Sequence, residues 1–190
     1  MRAGDADEGG TSIITDGIGS YVNLNSALPT LQNYSTGTVS FIFKLNSSGD
    51  QAIVANADNS TDDTQMRLYV TESRCEFNYK YDGAELGLDN FARTADVTLD
   101  LNTIYRIIFV QDDTVGARIY LDGVELTTYT RQGIANAKWW NSASSLTDTL
   151  SLNALIRDPD VYYASNIDEV AIFPTALTQA QVTTLYKSSL

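Results

Sequence analysis

Apolar and polar residues alternate with a period of two through much of the chain. Val39, Phe41, Phe43 and Leu45 alternate with Ser40 and Lys44. Met66, Leu68 and Val70 alternate around Arg67, and Val97, Leu99 and Leu101 alternate with Asp96, Thr98 and Asp100. Strands of this kind bury one face and wet the other, the pattern of an antiparallel sandwich rather than of a parallel sheet. Turn residues punctuate the runs at Asp82-Gly83, at Asp122-Gly123 and along the polar stretch Asn46–Asp50. The Asp-Gly pair between Ala117–Leu121 and Val124–Thr130 predicts a tight hairpin. The expectation is all-β: two antiparallel sheets face to face, with Phe41, Phe43, Leu99, Ile107, Phe109 and Ile172 inside.

One helix interrupts this pattern near the C-terminus. Asn166 to Phe173 reads as a β-branched strand, Pro174 as a turn, and Gln179–Tyr186 as a short helix. Thr178 and Gln181 have the spacing of a capping box, in which the Thr hydroxyl takes an orphan amide and the Gln side chain reaches back. Val182, Leu185 and Tyr186 then fall on one helical face. This stretch resembles the closing signature of the laminin-G-like, concanavalin-A-like lectin/glucanase superfamily. Asp16-Gly17-Ile18-Gly19-Ser20-Tyr21-Val22 is similar to that family's opening hairpin. Thr38–Lys44 is similar to its first long core strand, and Tyr105–Phe109 with Ala117–Gly123 to its central strand pair. Tyr105 stands where the family usually has Trp, Arg106 where it has His, and Asn166 where Gly is common. The resemblance implies a jelly-roll sandwich used mostly for binding.

Composition narrows the function. The chain has 190 residues, enough for one domain, residues 11–190, with a full core. No apolar run approaches the ~20 residues of a membrane span. Acidic side chains number 24 against 12 basic, a net charge of -12, which argues against nucleic-acid binding because that requires a basic footprint. The excess has two readings, solubility and cation binding. The single cysteine, Cys75, forms no intrachain disulfide and shares a face with Phe77, Tyr79 and Tyr81, as a buried thiol would.

Hydrolysis of glycans calls for two carboxylates flanking the scissile bond. The chain lacks the alternating Glu-x-Asp-x-Glu pattern that would supply them: Glu72 and Glu76 are separated by Ser73, Arg74 and Cys75, and Asp96 and Asp100 sit on a wetted edge. It also contains no histidine, the commonest general base. A non-catalytic domain is expected. Sugar recognition needs aromatic faces beside amides and carboxylates, and Trp139, Trp140, Asn141, Asp160, Tyr162 and Tyr163 offer both. Adjacent tryptophans in a strand face opposite ways, so at most one of the two would be exposed. The family resemblance further implies a structural calcium (Ca2+) held by Asp16 and Asp168 with nearby carbonyls. The acidic loop Asp58–Asp63 lacks the central Gly and terminal Glu of a calcium loop.

Two functions remain open. One is a stand-alone or secreted carbohydrate-binding and adhesion module. The other is a structural protein of a virion surface, a capsid decoration or tail fibre of a bacteriophage, touching host glycans. The N-terminus carries no hydrophobic leader, and the chain ends close to the closing helix. These features favour a virion surface over another extracellular location. The acidic, Gly-rich segment Met1–Gly10 is expected to be a contact arm docking onto another subunit, in a homo-oligomer or a larger assembly.

Overall fold

The computed structural model describes residues 12–60, 64–80, 90–129, 131–132, 139–143, 147–157 and 160–187. The expected contact arm, the Asp82-Gly83 turn and residues 61–63 of the acidic loop lie outside them. Strands run in chain order as β1 (Ile13–Asp16), β2 (Val22–Asn23), β3 (Gly37–Lys44), β4 (Ala52–Ala57), β5 (Gln65–Thr71), β6 (Arg74–Lys80), β7 (Asn90–Asp96), β8 (Ile104–Asp112), β9 (Gly116–Leu121), β10 (Val124–Glu125), β11 (Arg131–Gln132), β12 (Thr149–Leu152), β13 (Ala154–Leu155), β14 (Val161–Tyr162) and β15 (Ala164–Phe173). Helices are the single turn α1 (Leu28–Leu31) and the longer α2 (Gln179–Lys187).

The strands form a six-stranded sheet, ordered β1-β15-β3-β8-β9-β10, and a seven-stranded sheet, ordered β11-β7-β6-β5-β4-β12-β2. A small β13-β14 pair makes a third layer. The pairings between described strands are antiparallel. The architecture is the sandwich that the alternation predicts. Val39, Phe41, Phe43, Ile107, Phe109 and Ile119 from the first sheet share one core with Val54, Met66, Leu68, Phe77 and Leu150 from the second. Phe41 sits 6.1 Å from Phe109 and 6.2 Å from Phe43, ring centre to ring centre. Leu99 is buried as expected, whereas Ile172 only packs against the core from its edge.

Local elements follow their sequence signals where short-range chemistry decides them. Asp122 and Gly123 both adopt positive φ, 48° and 77°, which closes the β9–β10 hairpin with Leu121 opposite Val124. Thr178 N–H donates to Gln181 Oε1 at 2.9 Å, and Gln181 N–H donates to Thr178 Oγ1 at 3.4 Å, a reciprocal capping box. Below the cap, Val182 and Leu177 bury against Ile108, Val110 and Tyr120 on the outer face of the six-stranded sheet.

One expected strand does not form and another is shorter than its alternation suggested. β7 ends at Asp96, where the Asp96–Leu101 run begins; beyond it Val97 N–H and Leu99 N–H bond to the carbonyls of Ser73 and Glu72, at the β5–β6 turn. Past Glu125 the ladder gives way to single bonds: Leu126 N–H donates to the Ile119 carbonyl at 2.8 Å, and Ile119 N–H to the Tyr129 hydroxyl at 3.4 Å. On the outer face of the six-stranded sheet, Arg106, 4% exposed, donates to Ser40 Oγ at 2.9 Å and pairs with Glu169. Glu169 holds a φ of 47° inside the bulge that interrupts the β15–β3 register between Asp168 and Ala171.

The core tolerates little at Gly37. A Cβ there would lie 2.5 Å from Trp139 Nε1 and 2.8 Å from the Phe173 carbonyl oxygen. Gly37→Ala is therefore expected to destabilise the fold by about 1–3 kcal/mol through overpacking, read as a lowered urea midpoint at unchanged slope. An unchanged midpoint would mean that the Trp139 ring and the β15 backbone yield freely.

Candidate functional site

The six residues expected to bind sugar do not form one site. Trp139 and Trp140 are both 0% exposed. Trp139 stands edge-on to Phe77 at 5.6 Å, and the two indoles lie 5.4 Å apart. Neither offers a face to a ligand, which corrects the reading of them as stacking surfaces. The reason is local: a 3-10 turn runs over Trp140–Ala143, so the alternation of a strand does not apply and both indoles turn inward. Asn141 is exposed on that turn, its N–H donating to the Tyr34 carbonyl at 3.2 Å.

Asp160, Tyr162 and Tyr163 belong to the β13-β14 layer. Tyr163 packs with Val161 and Leu155 against Ile53, Ala55, Ala57 and Tyr69, on the outer face of the seven-stranded sheet. Tyr162, between Val161 and Tyr163, faces the other way. Its hydroxyl donates to Asp160 Oδ2 at 2.9 Å, and that bond holds its pKa above the usual tyrosine value. Asp160 Oδ1 accepts the Arg157 N–H at 3.1 Å. Asp158 and Pro159 lie outside the described residues.

The register separates the two aspartates expected to share a calcium ion. Asp16 is opposite Ala164, and the β1–β15 ladder places Ile13 opposite Ile167. Asp168 therefore lies four residues along β15 from the partner of Asp16, about 13 Å at strand rise. Asp16 accepts bonds from Ile18 N–H and the Ser20 hydroxyl, which depress its pKa, and Asp168 accepts from Glu169 N–H. Each carboxylate serves its own turn or bulge. Among the described residues no group of three or more His, Cys, Asp or Glu converges as a metal site.

The richest chemistry lies elsewhere, on the outer face of the seven-stranded sheet. Because Met66, Leu68 and Val70 of β5 and Cys75, Phe77 and Tyr79 of β6 point into the core, Gln65, Arg67, Tyr69, Arg74, Glu76 and Asn78 point out. The ladder sets Tyr69 opposite Glu76, Arg67 opposite Asn78, and Glu76 opposite Thr94 of β7. Glu76, only 1% exposed, accepts the Thr94 hydroxyl at 3.0 Å and the Asn78 amide at 3.3 Å, with Arg74 Nη1 at 3.7 Å. The guanidinium carbons of Arg67 and Arg74 lie 5.5 and 6.0 Å from the centre of the Tyr69 ring, within cation–π reach. Arg67 Nε, Asn78 Oδ1 and Gln65 Oε1 are buried with no hydrogen-bond partner. Buried polar atoms in that state are uncommon and mark a place built for something besides packing.

The β13-β14 layer walls this cluster. Thr149 Oγ1 donates to the Ile156 carbonyl at 3.0 Å and Ser151 Oγ to the Ala154 carbonyl at 2.8 Å, which ties the layer to β12. Asn153, at φ 57° and 0% exposed, anchors its start: Ser165 Oγ donates to Asn153 Oδ1 at 2.9 Å, and Tyr163 N–H to the Asn153 carbonyl at 3.0 Å. Sequence reasoning passed over this cluster because polar alternates on a strand read as a wetted face. The available signal was their kind: two arginines, a tyrosine and a glutamate within ten positions.

Comparison with known proteins places the chain. A family model described as the concanavalin A-like lectin/glucanases superfamily matches residues 16–183. The fold is similar to that of the Ruminococcus gnavus IT-sialidase CBM40 bound to α2,3-sialyllactose, with a TM-score of 0.75 and 15% identity over 92% of this chain and 96% of that one. It is also similar to part of the NanB sialidase from Streptococcus pneumoniae, with a TM-score of 0.73 and 18% identity. There the match covers 93% of this chain but only 27% of the enzyme's. A heptameric SAP-like pentraxin from Limulus polyphemus is more distant, at TM-score 0.51 and 12% identity over 80% of this chain and 70% of that one. No curated protein sequence matches the chain.

Burial, and then the neighbouring Glu76 carboxylate, push the Tyr69 hydroxyl pKa up to about 12. Tyrosine-selective NMR titration is expected to show Tyr69 ionising near that value, well after a free tyrosine. Glu76→Gln removes the negative charge and should lower the value, while burial, the larger cause, still holds it above 10. A Tyr69 that titrates near 10 in the unmodified protein would contradict this geometry.

Proposed function

Since the chain belongs to the concanavalin A-like lectin/glucanase superfamily, we propose that it is a non-catalytic carbohydrate-binding domain whose ligand lies over Arg67, Tyr69, Arg74, Glu76 and Asn78. The observation that carries this reading is the buried, unpartnered Nε of Arg67 beside a second guanidinium. A guanidinium is a fork of donors matched to a carboxylate, so the preferred glycan carries one. The Tyr69 ring holds both cations in place, and the buried Glu76 carboxylate beneath them orients Arg74. The partly buried Val161 and Tyr163, backed by Leu155, offer an apolar wall that suits the C–H faces of a pyranose.

Acidic sugars also fit the likeness in fold, since the Ruminococcus gnavus CBM40 was solved with α2,3- and with α2,6-sialyllactose. Glu76 is a positioning group in this scheme. Its two oxygens are already engaged by Thr94, Asn78 and Arg74, which leaves it poorly placed to deliver a proton to a glycosidic oxygen. Display of the domain on a virion surface, with residues 1–10 docked onto another subunit, is part of the proposal and rests on the sequence alone.

Calorimetric titration tests the reading. Binding of 3′-sialyllactose is expected to be at least tenfold tighter than binding of lactose, and Arg67→Ala should remove most of that difference. Loss of one charge-assisted contact of about 1.5–3 kcal/mol corresponds to about ten- to a hundredfold in Kd. Equal affinity for both sugars, or an Arg67→Ala variant that binds sialyllactose unchanged, would overturn the assignment.

A further inference from the structure

We infer that Tyr21, Tyr162 and Asp160 form a second carbohydrate contact, a shallow platform for a neutral pyranose, on the reverse side of β14 from the charged cluster. It rests on the carbohydrate-binding reading above and extends it to a separate surface. Val161 and Tyr163 turn towards β4 and Tyr69, so Tyr162 projects outward, where its ring centre lies 6.0 Å from that of Tyr21 with the planes inclined by 44°. The two rings make one tilted aromatic pair, with Tyr21 partly open to solvent. Tyr21 is 37% exposed, and Ile18, on the same β1–β2 connection, is 85% exposed. Ile14, Ile18 and Tyr21 are three of only six large apolar residues exposed among those described. Among the described residues, half of these exposed apolar side chains thus lie on β1 and the connection from β1 to β2.

The polar partner is fixed before any ligand arrives. Asp160 accepts from Tyr162 Oη and from the Arg157 N–H, one on each oxygen. A carboxylate has about four acceptor sites, so both oxygens retain capacity for sugar hydroxyls. The Asp16–Ser20 turn is held against this surface. Gly17 takes φ 76°, and a Cβ there would lie 3.2 Å from the Ala164 amide nitrogen, so the turn carrying Ile18 is seated against the start of β15. An aromatic pair beside an oriented carboxylate is suited to the C–H face and the hydroxyls of a neutral sugar, and the negative charge disfavours an acidic one. The two surfaces divide the ligand chemistry between them, acidic residues of a glycan at the arginines and neutral residues at the tyrosines.

Amide and tyrosine-ring NMR titration with lactose tests this. Lactose is expected to shift resonances of Tyr21, Asp160 and Tyr162 in the unmodified protein and equally in Arg67→Ala. Tyr162→Ala should weaken lactose binding by about three- to tenfold, the worth of one aromatic contact, while leaving 3′-sialyllactose-induced shifts at Tyr69 in place. Tyr162→Phe, which keeps the ring, should retain most of the lactose affinity and guards against a misfolded alanine variant. Lactose shifts confined to the Arg67–Glu76 face, or unaffected by Tyr162→Ala, would overturn the platform while leaving the charged site standing. Loss of sialyllactose selectivity without effect of Arg67→Ala would overturn the charged site alone. No response to either sugar would overturn both.

Discussion

Phe41, Phe43 and Phe109 from one sheet and Leu68, Phe77 and Leu150 from the other fill a single core, and that packing dictates where every remaining side chain of those strands can point. A strand offers only two directions, and a slip of one residue would exchange them. With Met66, Leu68 and Val70 committed inward, Arg67 and Tyr69 have no choice but the outer face. The same holds for Glu76 and Asn78 around Phe77. Apolar packing on the reverse side thus sets which way the charged cluster faces, and its spacing is the spacing of the β5–β6 ladder.

What the sequence revealed and what it concealed divide along the range of the interactions involved. The strand alternation, the Asp122-Gly123 hairpin and the capped helix all show in residues within a few positions of one another, so their signals are visible in the chain. Cys75 is buried as its apolar neighbours suggested, and burial pushes its thiol pKa up to about 12. The tryptophans were legible as aromatics but not as core, because their burial against Phe77 depends on a strand about sixty positions upstream. Asp16 and Asp168 look like a pair by family resemblance, but their separation is set by register between strands 150 positions apart, and no local pattern encodes that. The Arg67–Glu76 cluster was in plain view, yet its wall comes from Leu155, Val161 and Tyr163, more than seventy positions downstream.

Arg106 illustrates how a departure from a family pattern can be absorbed. Where the family pattern that the sequence resembles has His, this chain has a cation, 4% exposed, which therefore requires a partner. Glu169 provides it from a strained position in the β15 bulge, and Ser40 takes a second bond. Asp122 completes the arrangement by accepting the Arg106 N–H at 2.8 Å, so the hairpin turn is fastened to the centre of the sheet. This ion pair belongs to the scaffold, on the face opposite the one that carries the candidate site.

The anchoring of the β13-β14 layer at Asn153 has a kinetic corollary. Its backbone and side chain together engage β4, β15 and Tyr163, so the wall stands in place whether or not a ligand is bound. A preformed shallow surface demands little ordering on capture, which favours rapid association, and holds little in reserve against escape. Contacts of that kind are brief when single. They gain residence time by avidity, when several copies on one support meet several sugars on another and each dissociation is followed by recapture at high effective concentration.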